Sequence, residues 1–368
     1  INCYQAKYKM RKNVRTTTCF KIVVFVSFTG ILLYFHNTPV PNQGDKRLVL
    51  NTNTIKKGKS EESTFNCSIF RKLIGQQNIE FPSKITWEQI YKKNDNVTAG
   101  GQWSPTNCGA EDEIAIIIAY RDREEHLKQF LNYMHPFLQR QKLSYRIVVV
   151  EQNKPAIFNK ASLFNTGFKI ISELGINYTC FIFHDVDIFP ENDRMIYSCQ
   201  KKIVLHLAAY IDVHNYKKPP YTLTGGVVAI APDTYKKLNG YSNGFWGWGG
   251  EDNDLLIRCL HIHVPFRQCI NWTECRYTTL KHSRDQGNPE NHVHYILNKK
   301  EPDFRNDGLT TVNFTLHAAK QFKLFTWLYV SFDTSTLTRE NTDFFGADAD
   351  AAIAMQEKDG RSFDEYLW

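Results

Sequence analysis

Cys180-Phe-Ile-Phe-His-Asp-Val-Asp187 is an apolar run of strand length closed by two carboxylates. Upstream, Ile114-Ala-Ile-Ile-Ile-Ala-Tyr120 and Arg146-Ile-Val-Val-Val-Glu151 are continuous apolar runs, the pattern of strands covered on both faces. Helical patterns separate them. Leu127, Phe130, Leu131, Met134, Phe137 and Leu138 recur at helix spacing, and Lys160 to Glu173 reads as a second helix. Strand, helix, strand, helix, strand predicts an α/β fold with a mostly parallel central sheet and helices on both faces. Ligands of such sheets bind at the carboxyl ends of the strands, where Asp185 and Asp187 stand. Two residues apart on an extended chain, the two carboxylates point the same way and suit one hard cation.

Phe245-Trp-Gly-Trp-Gly-Gly-Glu-Asp-Asn-Asp254 interleaves two tryptophans with three glycines before a run of acids. Glycine forfeits backbone entropy and an exposed tryptophan forfeits burial, so the combination needs a reason. A tight turn presenting a flat ring to a sugar supplies one, with Glu251, Asp252 and Asp254 as general base or acceptors for hydroxyls. The bland reading is a glycine turn before a helix whose first turn carries acids. His282, within Leu280-Lys-His-Ser-Arg-Asp285, is a candidate metal ligand because the acidic motif needs partners. Arg121 and Arg123, just past the first strand, are candidates for phosphate contact.

Length and charge narrow the class. At 368 residues and 42% hydrophobic, the chain builds a real core. The net charge of +7 suggests nucleic acid, but residues 1–60 hold 11 of the 45 Lys and Arg and one acid, Asp45. The rest carries 34 basic and 37 acidic residues, no excess to attract a phosphate backbone. Cations from Lys7 to Lys21 precede an apolar run from Ile22 to Phe35, which predicts a single membrane span with a cytosolic N-terminus. The expected organisation is a cytosolic tail over 1–18, a signal anchor over 19–35, a polar stem over 36–65 and a luminal catalytic domain over 66–340. An acidic tail over 341–368 stays unassigned. Sequons at Asn66, Asn96, Asn177, Asn271 and Asn313 all follow the anchor, as do seven of the nine cysteines. Cys180 and Cys199 bracket the acidic motif and are expected to pair, as are Cys67 and Cys108. The odd luminal cysteine is expected to be buried and free.

Over roughly residues 105–330 the chain resembles the β-1,4-galactosyltransferase family of type II Golgi glycosyltransferases. The resemblance rests on Ile117-Ile-Ala-Tyr-Arg-Asp-Arg-Glu-Glu-His-Leu127, Phe158-Asn-Lys160, Phe183-His-Asp-Val-Asp187, Gly225-Gly226, Trp246-Gly-Trp-Gly-Gly-Glu-Asp252 and His282-Ser-Arg-Asp285. It implies the nucleotide-sugar-binding GT-A fold. The implied activity is inverting β-1,4 transfer of galactose or N-acetylgalactosamine from a UDP-sugar to a terminal N-acetylglucosamine or related sugar. By the same resemblance, Asp187 and His282 bind Mn2+, and Asp252 is the base that deprotonates the acceptor hydroxyl. Glu251 and Trp248 hold donor and acceptor, with Gly249 and Gly250 beside the acceptor. Arg121, Arg123, Phe158, Asp185 and Val186 contact the UDP moiety. The aligned cysteines agree with both disulfide pairings.

Three positions depart from the family. Thr279 stands where a methionine metal ligand is usual, and its harder hydroxyl suits Mg2+ better than a thioether does. Leu223 replaces a tyrosine facing the donor C2 substituent, which opens room for an acetamide and slightly favours N-acetylgalactosamine. His294-Tyr295 replaces the Arg-aromatic pair of the acceptor pocket. The alternative class is a catalytically silent carbohydrate-binding protein; a luminal phosphohydrolase lacks further ligands near Asp185 and Asp187.

Overall fold

The computed structural model describes residues 66–154, 156–217, 224–282, 288 and 306–334, together with the backbone of Lys21–Ser27 and Gly30–His36. The chain divides into two units, Ile1–Val49 and Leu50–Trp368. In the first, β1 (Lys21–Ser27) and β2 (Gly30–His36) pair antiparallel, with Ser27 opposite Gly30. The sequence reading expected a helix over 19–35; the described residues of that run, Lys21–Ser27 and Gly30–His36, are strands. The segment is rich in β-branched and aromatic residues, and Gly30 beside the reversal lets it satisfy its backbone by pairing with itself. Among the described residues no helix is long and apolar enough to cross a membrane.

The second unit is built on β4 (Glu113–Tyr120), β5 (Ser144–Gln152) and β6 (Cys180–His184), with α1 (Trp87–Lys93) and the short β3 (Gln102–Trp103) before them. β4 pairs parallel with both β5 and β6, and β14 (Thr326–Phe332) adds parallel to β5. The flanks are antiparallel. β10 (Val227–Ile230) runs between β6 and β8 (Val204–His206), and β13 (Phe314–Gln321) folds back on β14. With β11 (Phe266–Gln268) outside β8 and β3 on β5, the sheet has nine strands. The parallel centre matches the reading of the three apolar runs.

The strand period decides the layers. Ile114, Ile116, Ile118 and Tyr120 face one core with α2 (Glu124–Arg140), where Leu127, Phe130, Leu131, Met134, Phe137 and Leu138 are buried. Ala115 and Ile117 face the other core with α3 (Lys160–Ser172) and the regions of α4 (Pro232–Lys237) and α5 (Glu251–His261). Gly167 of α3 lies so close to the sheet that a Cβ there would stand 2.6 Å from Ile117 Cγ2. A smaller sheet orders β7 (Ile188–Pro190), β12 (Arg276–Thr279) and β9 (Tyr210–Ile211).

Cys180 is bonded to Cys199 and Cys67 to Cys108; a third bridge, Cys269–Cys275, lay outside the sequence-based expectations. Cys259 is free and buried.

One buried acid carries a pH signature. Glu151 sits on β5 between Tyr120 and Tyr329, and Trp327 Nε1 donates to its Oε2 at 2.6 Å. Burial, opposed by that hydrogen bond, pushes its pKa from 4.5 up to about 7. An acid whose folded pKa is raised binds more protons folded than unfolded, so stability falls as pH rises through this window. Glu151→Gln keeps the site neutral and is expected to be more stable than the parent at pH 8, by at most about 3 kcal/mol. The gain should vanish at pH 4; urea unfolding at both pH values reads it.

Candidate active site

Three chain segments meet at one ammonium. Lys160 Nζ lies 2.8 Å from Glu251 Oε1, 3.0 Å from Asp252 Oδ2 and 3.5 Å from Asp185 Oδ1. Lys160 is the first residue of α3, where the helix dipole is positive and a cation alone is unfavourable. Burial would also drive off its proton, but the three carboxylates outweigh burial and hold the ammonium well above the usual lysine range. Conversely, burial pushes Asp185 up to about 6 and raises Glu251, with Lys160 opposing both shifts. Sequence reasoning names the three acids and misses the lysine. Its signal was a cation at a helix start directly after Phe158-Asn159, a position that needs a counter-charge.

Glycines allow this approach. A Cβ on Gly225 would stand 2.5 Å from Asp252 Oδ2, and Gly226 holds φ at +95°. The Gly226 carbonyl accepts from the Asp185 N–H at 2.9 Å, and Thr224 Oγ1 donates to the Asp252 carbonyl at 2.8 Å. Gly249 and Gly250 also have positive φ, turning the chain into α5 so that Glu251 and Asp252 occupy its first turn. Trp248, on the same turn, is 51% exposed. The turn is tied to the α3 side, where the Gly247 N–H donates to the Phe158 carbonyl at 2.8 Å. Arg121 lies under Phe158, its guanidinium 5.0 Å from the ring centroid, and donates to the Ala156 carbonyl at 2.6 Å. Arg123 stands at the start of α2.

Asp185 and Asp187 do not converge. The chain leaves β6 at His184 and turns before β7, so the extended geometry behind that expectation is absent. Asp185 faces Lys160, whereas Asp187 meets His282: Nε2 and Oδ2 are 2.7 Å apart. Val186 is buried between them. The β7–β12 ladder makes the second encounter, setting Thr279 opposite Ile188 and letting the Leu280 N–H donate to the Asp187 carbonyl at 2.8 Å. Burial pushes the Asp187 carboxyl up, but the hydrogen bond and charge of His282 outweigh it and hold it below the usual range. His184, just upstream, is a structural histidine. Buried and held down to about 4, its ring nitrogens meet Tyr197 Oη and the Asp185 carbonyl.

Thr279 Oγ1 is buried with no hydrogen-bond partner. An unsatisfied buried hydroxyl beside a carboxylate–imidazole pair fits a hard divalent cation. Among the described residues no three His, Cys, Asp or Glu side chains form a ready cage. Leu223, Ser283-Arg-Asp285 and His294-Tyr295 lie outside the described residues, as does Pro155.

Removing the shared ammonium leaves three facing carboxylates. Lys160→Met is expected to lower the free energy of unfolding at pH 7.5 by about 3 kcal/mol, the low end for a broken buried pair because the site is partly open. Lys160→Arg should keep most of it. The deficit of the methionine variant should shrink at pH 5, where protonated carboxylates no longer repel; urea titrations at the two pH values measure this.

Known proteins share this arrangement of elements. Residues 49–200 match the family described as the N-terminal region of glycosyl transferase group 7, and residues 205–283 the one described as the N-terminal domain of galactosyltransferase. Beta-1,4-galactosyltransferase 4 of Cricetulus griseus is 37% identical over 73% of this chain and 78% of its own length. Beta-1,4-galactosyltransferase 1 of Homo sapiens is 37% identical over 71% of this chain, which spans 65% of that protein's length. The crystal structure of the catalytic domain of Drosophila beta1,4galactosyltransferase 7 with xylobiose superposes with a TM-score of 0.54 at 25% identity, covering 64% of this chain and 99% of that one. A mutant of the same enzyme, solved with manganese, UDP-Gal and xylobiose, matches to the same extent. A GT-A fold, two matching family regions and relatives at this identity over most of the chain establish that it belongs to the β-1,4-galactosyltransferase family of glycosyltransferases.

Proposed function

We propose that the chain is an inverting, metal-dependent hexosyltransferase that moves galactose or N-acetylgalactosamine from a UDP-sugar to the 4-hydroxyl of a terminal N-acetylglucosamine. The observation that carries this reading is the meeting of Asp185, Glu251 and Asp252 at Lys160, next to the half-exposed Trp248. Trp248 offers its face to a sugar ring. Asp252 is placed to accept the proton of the attacking hydroxyl, and Glu251 to accept hydrogen bonds from sugar hydroxyls. Lys160 keeps the cluster from repelling itself. Arg121, Arg123, Phe158 and Val186 border the space assigned to the uridine diphosphate.

Asp187, His282 and Thr279 would hold the cation, Mn2+ by analogy with the manganese-bound relative and Mg2+ as the alternative. Bound there, it supplies charge to the departing diphosphate. Donor identity turns on Leu223: the relatives are named galactosyltransferases, whereas a side chain smaller than tyrosine admits the acetamide of N-acetylgalactosamine. Tyr295, with Gly249 and Gly250, is assigned to the acceptor side. We also propose residence in the Golgi membrane, with the run over 19–35 becoming the single span when lipid replaces water around it, the stem over 36–65 and the catalytic domain over 66–340 on the luminal side. Residues 1–18 would be the cytosolic tail; 341–368 carry no assignment.

The full chain, purified in detergent with Mn2+, is offered UDP-galactose and UDP-N-acetylgalactosamine in parallel with a terminal N-acetylglucosamine acceptor, and product mass is read. Transfer is expected from at least one donor, and Leu223→Tyr should shift the ratio toward galactose. Asp252→Asn should lower kcat by roughly 10²–10⁴ without unfolding the protein. No transfer from either donor by the folded chain, with Mg2+ also tried, would favour the silent carbohydrate-binding reading instead.

A further inference from the structure

Residues 269–275, between β11 and β12, form a turn closed by the Cys269–Cys275 bridge. The Asn271 carbonyl accepts from the Glu274 and Cys275 N–H groups, both at 3.0 Å, which fixes the backbone of the turn. On it Ile270 is 81% and Trp272 48% exposed. Leaving a large apolar side chain in water forgoes up to about 3 kcal/mol of burial. The indole is nevertheless held in place. The Arg276 guanidinium lies 4.9 Å from the Trp272 ring centroid and 3.9 Å from that of Tyr216, and Arg276 Nε meets the buried Glu191 carboxylate at 3.1 Å. The transfer chemistry proposed above makes no use of this turn.

We propose that Asn271 carries an N-linked glycan whose first N-acetylglucosamine packs on Trp272; this rests on the luminal placement proposed above. Asn271-Trp-Thr273 is a sequon, and all three residues are exposed. Thr273 Oγ1 donates to Asn271 Oδ1 at 2.8 Å, which holds the amide at the surface of the turn. The other sequons differ. Asn96 exchanges hydrogen bonds with Gln139 at 3.0 and 3.2 Å, and Asn66 bonds Glu111 and accepts from the Ser68 N–H. Asn177 and Asn313 have buried neighbours, Tyr178 and Val312. Among the five, Asn271 alone is flanked on both sides by exposed large apolar residues. A sugar linked one residue away reaches the indole without a second chain, lays its apolar face on the ring and turns hydroxyls to water. That accounts for a tryptophan pinned in place yet left uncovered. The donor is an oligosaccharide carried on a lipid diphosphate. Asn271 Nδ2 bonds to its anomeric carbon, the anomeric C–O bond breaks, the lipid diphosphate leaves with the bonding pair, and the amide releases one proton to solvent.

The test reads the glycan and then its contact. The full chain is expressed in a eukaryotic secretory host, purified in detergent and treated with peptide N-glycosidase F in 18O water, which converts each modified Asn to 18O-labelled Asp. Peptide mass spectrometry then reads every sequon, and label at Asn271 in most molecules is expected. Thr273→Val, which removes the sequon and keeps Asn271 and Trp272, should lower Tm by roughly 1–6 °C in the untreated protein. In a Trp272→Ala background the same substitution should have little effect. Label at another sequon with none at Asn271 overturns the proposal and spares the luminal placement; no label at any sequon overturns both. Label at Asn271 with an equal loss of Tm in the two backgrounds overturns the contact with Trp272.

Discussion

The structure turns on one buried ammonium. Lys160 draws together the end of β6, the start of α3 and the start of α5, because each contributes a charge that would be unfavourable alone. Desolvating one ion costs several kcal/mol, and partners at hydrogen-bond distance repay it only when the geometry is good. That constraint explains neighbouring choices of residue type. Gly225 leaves room for Asp252, Gly226 bends the chain under Asp185, and Gly250 starts α5 at the angle that turns Glu251 inward. α5 is anchored at its other end of charge as well. Arg258, fully buried, donates to Asp254 one turn earlier and to Asp307 beyond the helix.

A second, smaller constraint brings Asp187 to His282. β7 and β12 pair antiparallel with Thr279 opposite Ile188, so residues just past the ladder on both strands, Asp187 and His282, fall together. The two aspartates of the acidic motif thereby serve different partners. Asp185 belongs to the lysine cluster and Asp187 to the histidine. A turn at residues 185–187 separates one charge network from the other while keeping both at the carboxyl end of the same strand.

Much of this is written in the sequence because the signals are long and periodic. Residues 114–120 of β4 alternate between two cores, and α2 repeats its apolar positions over about three turns, so both elements read at sight. The tryptophan–glycine–acid stretch reads because its composition is costly. The antiparallel flanks do not read: β8, β10 and β11 have three or four residues each, too few to show a period. Lys160 is invisible for a different reason. Its meaning comes from three carboxylates that are 25 to 92 residues away along the chain, and only folding brings them together. The apolar run over 22–35 carries a pattern that suits helix and strand alike, so periodicity there does not decide between them.

In the proposed roles Asp252 takes the proton of the acceptor hydroxyl, while Glu251 accepts from sugar hydroxyls and all three acids share Lys160. With no carboxylate assigned as a nucleophile, the proposed transfer is a single displacement with inversion at the anomeric carbon. The proton NMR spectrum of the disaccharide formed from an α-linked UDP-sugar is the most direct check. A β-configured product, with the large coupling of trans-diaxial protons, is predicted; an α-configured product would contradict the assignment of roles within the lysine cluster.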